Sequence, residues 1–173
     1  MRRALVVVLS ALSLIVSGCG YHTASSAAHL PSSVHTLAVP VFQNLTQSYH
    51  VEVAFTQAVI REFSNRSSYH LLSKNDGDAD ATLQGTITTF QVTPLTYNSQ
   101  TGQSSSFLIT VKARIVLTDR NHKILYQNSN YLFRQQYETT QDLVTFIQED
   151  PAAIQRLSRD FAQAAVSDIL ESF

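Results

Sequence analysis

The sequence predicts an α+β domain in which a mostly antiparallel, four-stranded sheet carries two helices on one of its faces. Segments that alternate apolar and polar side chains recur along the chain, and two further segments place apolar residues at helical spacing. Their order is β, α, three or four β, then α. Strands joined by short turns are antiparallel neighbours, and helices with one apolar stripe bury that stripe against a sheet.

The first strand and the first helix are predicted from two segments early in the domain. Val34 to Phe42 is rich in β-forming residues, and Pro40 indicates an edge or terminal position for this strand. Val51 to Phe63 has apolar residues at helical spacing, with polar residues largely on the other side. Ser48 or Thr46 is the expected N-cap of this helix, because a side-chain oxygen there can accept a hydrogen bond from a free N–H group.

A second extended segment and an acidic turn come next. The helix should end near residues 64–67, and Tyr69 to Leu72 begins the extended segment. Lys74 to Asp80 is a turn by composition, and its three aspartates are spaced like the first half of a calcium loop. Such a loop needs Gly at its sixth position and Glu at its twelfth, where this chain has Ala81 and Ile87. We therefore expect a solvated acidic turn.

Two long strands are predicted on either side of a polar loop. Ala81 to Val92 and Phe107 to Thr118 are rich in β-forming residues, and Thr93 to Ser106 forms a loop of mainly Ser, Gln, Thr and Gly between them. In the second strand the side chains alternate, so one face should pack and the other should be polar. The apolar set is Ile109, Val111, Ala113, Ile115 and Leu117, and the polar set is Thr110, Lys112, Arg114 and Thr118.

The end of the chain supplies a hairpin partner and the second helix. Asp119 to His122 is a tight turn, after which Lys123 to Tyr137 returns as an antiparallel strand. The residues of this strand that share one face are Leu125, Tyr131, Phe133 and Tyr137. Thr139 to Glu149 is ambiguous between an irregular segment and a helical turn. The second helix is expected to begin at Asp150-Pro151. Its apolar stripe is Ile154, Leu157, Phe161, Ala164, Ala165, Ile169 and Leu170.

The first 18 residues have the pattern of a signal peptide. Arg2 and Arg3 precede an apolar run from Ala4 to Val16. As a helix, this 13-residue run spans roughly 20 Å, which is short of a bilayer core of roughly 30 Å. The run leads to Cys19, the one cysteine of the chain. This junction resembles the lipobox of bacterial lipoproteins, which implies cleavage after Gly18 and acylation of Cys19. An ordinary secreted protein with a free thiol is the alternative.

The chain is thus divided into three parts. Residues 1–18 are a lipoprotein signal peptide, residues 19–33 a lipidated polar tether, and residues 34–173 a single α+β domain. The residue after Cys19 is Gly20, whereas enteric lipoproteins retained at the inner membrane tend to have Asp there. By this resemblance, we expect the protein to be lipid-anchored at the outer membrane and to face the periplasm.

Composition narrows the kinds of partner. Without Arg2 and Arg3, 10 basic side chains face 13 acidic ones, so nucleic acid is not expected as a partner. Charged residues make up 14% of the chain, where about 25% is usual. The polar surface must therefore consist largely of Ser, Thr, Asn and Gln. Such a surface is less costly to desolvate against another protein than a charged one; an uncharged periplasmic surface is the other interpretation.

No enzymatic chemistry is predicted. The sequence has no GxSxG, P-loop, dinucleotide or HExxH motif, and its six histidines are not at ligand spacing. We expect no cofactor and no metal. One group of cations surrounds the predicted hairpin, and such a group could bind phosphate or an acidic glycolipid head group or be ordinary solvated strand surface. Its members are Lys112, Arg114, Arg120, Lys123 and Arg134.

The ordered features resemble the lipopolysaccharide-assembly lipoproteins (LptE-like). The matching residues are Cys19-Gly20-Tyr21-His22, Leu30-Pro31, Leu37 to Phe42, Asn44-Leu45-Thr46, Val51-Glu52, Phe55-Thr56, Arg61-Glu62-Phe63, Ala79-Asp80-Ala81, Leu83-Gln84-Gly85 and the C-terminal helix. The resemblance implies an outer-membrane lipoprotein that plugs an LptD-like β-barrel, assists its assembly and takes part in lipopolysaccharide transport.

The resemblance also bears on lipopolysaccharide binding. In the family this binding is tied to basic residues on the surface buried in the barrel, whereas Thr93 to Ser106 carries no Lys or Arg here. Lys112 and Arg114 are the residues predicted to contact lipopolysaccharide. Two other functions remain open. The protein could be a pilot or auxiliary binding module of another transporter or secretin, or an envelope hydrolase.

Overall fold

The fold is given by a computed structural model that describes residues 30–31, 33–74, 77–97, 104–138 and 143–173, with the backbone alone for residues 97, 104–105 and 143–150. Within these residues, eight elements follow one another. They are β1 (Thr36–Ala38), β2 (Gln43–Asn44), α1 (Val51–Arg66), β3 (His70–Leu72), β4 (Ala81–Tyr97), β5 (Ser104–Asp119), β6 (Ile124–Glu138) and α2 (Leu143–Glu171).

The sheet is mixed and has six strands in the part of the chain described. Its order is β3-β1-β4-β5-β6, and β2 also pairs with β4. β1 runs parallel to β3 and β4, and β2 runs parallel to β4. β4, β5 and β6 are antiparallel. The prediction of an α+β domain is confirmed, whereas a mostly antiparallel sheet of four strands is only roughly right. The short strands around α1 are parallel because a helix returns the chain to run in the same direction.

The predicted first strand is interrupted by Pro40. β1 lies between β3 and β4, so it is not an edge strand. The backbone N–H of Val39 still donates to the carbonyl of Leu72 at 2.7 Å, but Pro40 has no N–H to continue the ladder. The N–H of Phe42 instead donates to the Thr56 hydroxyl of α1 at 2.9 Å. A terminal position for Pro40 is therefore correct and an edge position is wrong.

The first helix begins without a side-chain cap. Its N-cap is His50, which has a left-handed backbone (φ 61°) and no capping hydrogen bond, so the prediction of Ser48 or Thr46 is wrong. Asn44 holds the preceding loop instead. Its Nδ2 donates to the Ser48 carbonyl at 2.7 Å and to the Glu52 carboxylate at 2.8 Å, and its Oδ1 accepts from the N–H of Thr46.

Most of the predicted loop between the two long strands is strand. β4 continues to Tyr97 and β5 starts at Ser104, and these two residues are register partners. Residues 98–103 lie outside the described part. Pro94 can lie within β4 because proline is tolerated at an unpaired strand edge. Among the described residues, no strand pairs with the other edge of β4 beyond Ile87. The ends of these two strands, Gln91–Tyr97 of β4 and Ser104–Phe107 of β5, are here called the arm.

The second hairpin and its apolar face agree with the prediction. Asp119 closes the turn by accepting hydrogen bonds from the N–H groups of Asn121 and Lys123. All five residues of the predicted apolar set of β5 are buried. On β6, Tyr131 and Phe133 lie opposite Ala113 and Val111, and Tyr137 lies opposite Phe107. Leu125 also packs against the core, although a register shift places Tyr126 opposite Leu117.

The second helix is longer than predicted. It begins at Leu143, so the start expected at Asp150-Pro151 is wrong, and Pro151 lies inside the helix. Proline removes one backbone hydrogen bond there without ending the helix. The ambiguous segment is therefore helical from Leu143 onward, while residues 139–142 lie outside the described part. No helix in the described residues is long and apolar enough to cross a membrane.

The core lies between the helices and one face of the sheet. α1 and α2 pack on each other and α2 packs on β6, which confirms two helices on one face. Phe161 of α2 is 0% exposed. Its ring centroid lies 5.0–6.3 Å from four other aromatic rings, which belong to Phe42, Phe55, Tyr131 and Phe133. Tyr131 also donates a hydrogen bond to Asp168 of α2 at 2.8 Å.

Replacing Gly85 with alanine is expected to destabilise the domain by about 1–3 kcal/mol through overpacking. Gly85 lies opposite Ile115 on the core side of the sheet, and the ring of Phe42 occupies the space that a Cβ atom would need. Gly77→Ala is a contrasting variant. A Cβ there meets open space, so any loss of stability comes from its backbone, with φ 89°, and not from overpacking. Denaturant unfolding of Gly85→Ala measures the effect; unchanged stability would contradict this packing.

Candidate functional site

The face of the sheet opposite the helices is open and polar. Residues that pair directly in antiparallel strands project to the same side, so the register of β4, β5 and β6 defines this open face. Its residues are Thr82, Gln84, Thr86, Thr89, Gln91, Thr93, Thr96, Ser106, Leu108, Thr110, Lys112, Arg114, Val116, Thr118, Ile124, Gln127, Leu132, Arg134, Gln136 and Glu138. Hydroxyl and amide groups dominate this set, as the low charged fraction of the sequence predicts.

Lys112 and Arg114 lie side by side on the open face. Both side chains are exposed and, within the described part of the chain, neither forms an ion pair. They are two residues apart on β5, which is about 7 Å. The carboxylate on this side of β6, Glu138, pairs with Ser106, six residues along β5 from Lys112 or about 20 Å away. An anion could therefore reach both cations without breaking an internal ion pair.

A pocket adjoins Arg114 beside the segment that links β1 to β2. Its volume is about 290 Å³. One wall is the interrupted segment with Pro40 and Val41, and Val41 is 64% exposed. Gln84, Thr86 and Val116 line it from the sheet. The pocket thus combines one guanidinium, polar groups and an apolar wall. This pocket was not predicted from the sequence. The feature that could have indicated it is Pro40, which interrupts a β-rich segment.

The structure divides the predicted group of hairpin cations. Arg134 lies opposite Thr110 and so joins Lys112 and Arg114 on the open face. Arg120 instead forms an ion pair with Asp80 at 3.1 Å. Arg120 therefore stabilises the fold through this ion pair. Three of the five cations, Lys112, Arg114 and Arg134, lie on the open face.

Asp80 fastens the start of β1 to the β5–β6 turn. Its carboxylate accepts hydrogen bonds from the N–H groups of His35 and Thr36, both at 3.0 Å, and from the Thr36 hydroxyl at 2.9 Å. These bonds, with a smaller contribution from Arg120, lower the pKa of Asp80 from 3.8 to about 2. The expected solvated acidic turn is thus partly a structural anchor. Asp76 lies outside the described residues.

Asp80→Ala is expected to remove a pH-dependent part of the stability. The folded-state pKa of Asp80 lies below its unfolded value of 3.8. Its contribution is therefore complete above that value and is lost as the pH falls through about 2. Denaturant unfolding at several pH values should show a gap between the native chain and the variant that narrows from about pH 5 to about pH 2. A gap that is constant with pH would contradict this role.

The remaining predicted sites are placed as follows. Cys19, the predicted lipidation site, lies outside the described residues. Among the residues that the structure describes, no group of three His, Cys, Asp or Glu side chains could hold a metal ion.

The sequence and the fold were compared with known proteins. A family model described as LptE, lipopolysaccharide-assembly, matches residues 34–169. A search of curated protein sequences gives no significant match. Several solved structures share the fold, at sequence identities that support the fold alone.

Three of these structures illustrate the similarity. A lipoprotein from Caulobacter crescentus matches with a TM-score of 0.55 and 10% identity, covering 75% of this chain and 88% of its own. Protein XCC0632 from Xanthomonas campestris matches with a TM-score of 0.55 and 14% identity, covering 83% and 89%. Lipoprotein B from Nitrosomonas europaea matches with a TM-score of 0.50 and 14% identity, covering 88% of both chains.

Proposed function

Because the chain belongs to the LptE family of lipopolysaccharide-assembly proteins, we propose that it is a lipid-anchored outer-membrane protein that plugs an LptD-like β-barrel. In this function it assists assembly of the barrel and takes part in lipopolysaccharide transport to the outer leaflet. The protein performs no catalysis in this proposal. Cys19 carries the acyl chains, and the polar tether of residues 19–33 leads to the domain.

The open face of the sheet is the observation that carries this proposal. Its hydroxyl and amide groups can both donate and accept hydrogen bonds. The lumen of a membrane β-barrel is polar, so a plug has to satisfy the polar groups of the wall when water is displaced. A face with three cations and one carboxylate, Glu138 at the end of β6, can do so at a lower desolvation cost than a highly charged face.

The core also favours a polar contact with the partner. The large aromatic residues of α1, α2 and the sheet pack on one another around Phe161. The apolar stripes of both helices are therefore used inside the domain. The folded domain therefore does not need a partner to cover a helix stripe, which leaves the open face of the sheet as the surface proposed to contact the barrel.

Lys112 and Arg114 are the proposed contacts for lipopolysaccharide phosphate. Changing both to glutamate is expected to weaken binding to lipid A by about tenfold or more, because hydrogen bonds between charged groups are stronger than neutral ones. The fold should remain, since both side chains are exposed and form no ion pair in the described residues. Lipid A binding by the purified chain and its circular dichroism are the measurements.

The control is a charge reversal at the turn, Lys123→Glu. Arg120→Glu is a poor control because Arg120 pairs with Asp80. Unchanged binding would remove Lys112 and Arg114 from the site.

The plug proposal is tested by affinity purification of the tagged chain from detergent-solubilised membranes. We expect a β-barrel protein to co-purify in equal amounts, and depletion of the chain to lower the level of that barrel. Isolation of the chain without a barrel would contradict the proposal. Loss of a secretin or another transporter on depletion would favour the function of a pilot or auxiliary module.

A further inference from the structure

A groove lies on the surface where the two helices meet, away from the residues of the open face. It has a volume of about 490 Å³ and is lined by both α1 and α2. Ala58 and Ala162, both buried, are its small residues. Because their side chains are short, the longer polar residues beside them rise above the floor of the groove.

Two arginines give this groove a positive charge. Arg61 of α1 and Arg159 of α2 both line it and both are exposed. Neither forms an ion pair in the described part of the chain. The carboxylate that lines the groove, Glu62, lies 3.6 Å from the guanidinium of Arg66. Its charge is therefore offset by Arg66, and the groove retains a net positive charge from Arg61 and Arg159.

The other lining groups suit a peptide backbone. Asn65, Gln155 and Gln163 line the groove, and each amide can donate to a carbonyl and accept from an N–H group. The lining residues extend over eight or nine positions of each helix, which is about 11 Å. Three or four residues of an extended chain cover this length. The lining includes no exposed large apolar side chain that could hold an acyl chain.

We propose that the groove between α1 and α2 binds an acidic, extended segment of a partner protein. Arg61 and Arg159 bind carboxylates from the two sides, and the amides bind the backbone between them. This site is on a different surface from the open face, and it does not depend on the identity of the barrel. Its failure would leave the plug proposal unaffected.

A labelled hexaglutamate peptide is the probe for this site. Its binding to the full-length chain in detergent is measured by fluorescence anisotropy at low salt. We expect binding that weakens as salt rises, because exposed charges are screened. Arg61→Ala with Arg159→Ala should lower the affinity by about tenfold or more. Arg156→Ala is the matched control, since Arg156 is exposed on the same helix and does not line the groove; it should change the affinity by less than about twofold.

Three results would overturn the proposal. The first is no peptide binding at low salt. The second is an equal loss for Arg156→Ala and the double variant, which would indicate general attraction to a basic surface. The third is displacement of the labelled peptide by vesicles containing a phosphorylated lipid at a much lower concentration than unlabelled peptide requires, which would indicate a lipid head group as the occupant. Circular dichroism of each variant distinguishes lost binding from lost folding.

Discussion

Phe161→Ala is expected to lower the free energy of unfolding by about 3–5 kcal/mol. Phe161 is 0% exposed and lies at the centre of an aromatic cluster from β6, α1 and the segment before β2. Removing the ring leaves a cavity, and the surrounding rings belong to separate elements that cannot all move inward. Denaturant unfolding followed by circular dichroism gives the change.

Phe173→Ala is the control for this prediction. Phe173 is also a phenylalanine near the end of the chain, but it is 44% exposed. Its replacement should change the stability by less than about 0.5 kcal/mol. An equal and small effect of both substitutions would mean that Phe161 does not hold the helices on the sheet.

Cys19→Ala is expected to abolish acylation, so that acyl chains no longer contribute to membrane attachment. Each buried methylene contributes about 0.8 kcal/mol, so several acyl chains hold a protein far more firmly than a polar tether can. The measurement is incorporation of labelled palmitate. Ser25→Ala, also in the tether, is the control and should be acylated normally. Palmitate incorporation into Cys19→Ala would contradict the lipidation site.

The long elements could be predicted from the sequence because their side-chain period is repeated many times. β5 alternates over most of its length, and its five apolar residues are all buried. β1 and β2 have three and two residues, too few for a period to be seen. Their parallel pairing depends on where α1 returns the chain. Pro151 predicted a helix start, but packing of α2 on α1 and β6 maintains the helix through it.

The candidate site was predictable where it depends on alternation alone. Lys112 and Arg114 follow from the polar positions of β5, and their neighbour Arg134 follows from the hairpin. The groove with Arg61 and Arg159 could not be predicted, because it depends on which faces of two distant helices meet. The role of Asp80 was missed for a similar reason, since its hydrogen-bond partners, His35 and Thr36, are more than 40 residues away.

The arm offers the most direct test of the plug proposal. Leu95 is 44% exposed, so a photo-crosslinking amino acid can replace it without disturbing the core. Irradiation of living cells, followed by mass spectrometry of the adduct, identifies the neighbouring protein. The account predicts an adduct with an LptD-like β-barrel at peptides of its lumen wall. No adduct with a β-barrel, or an adduct with a secretin or another transporter, would contradict it.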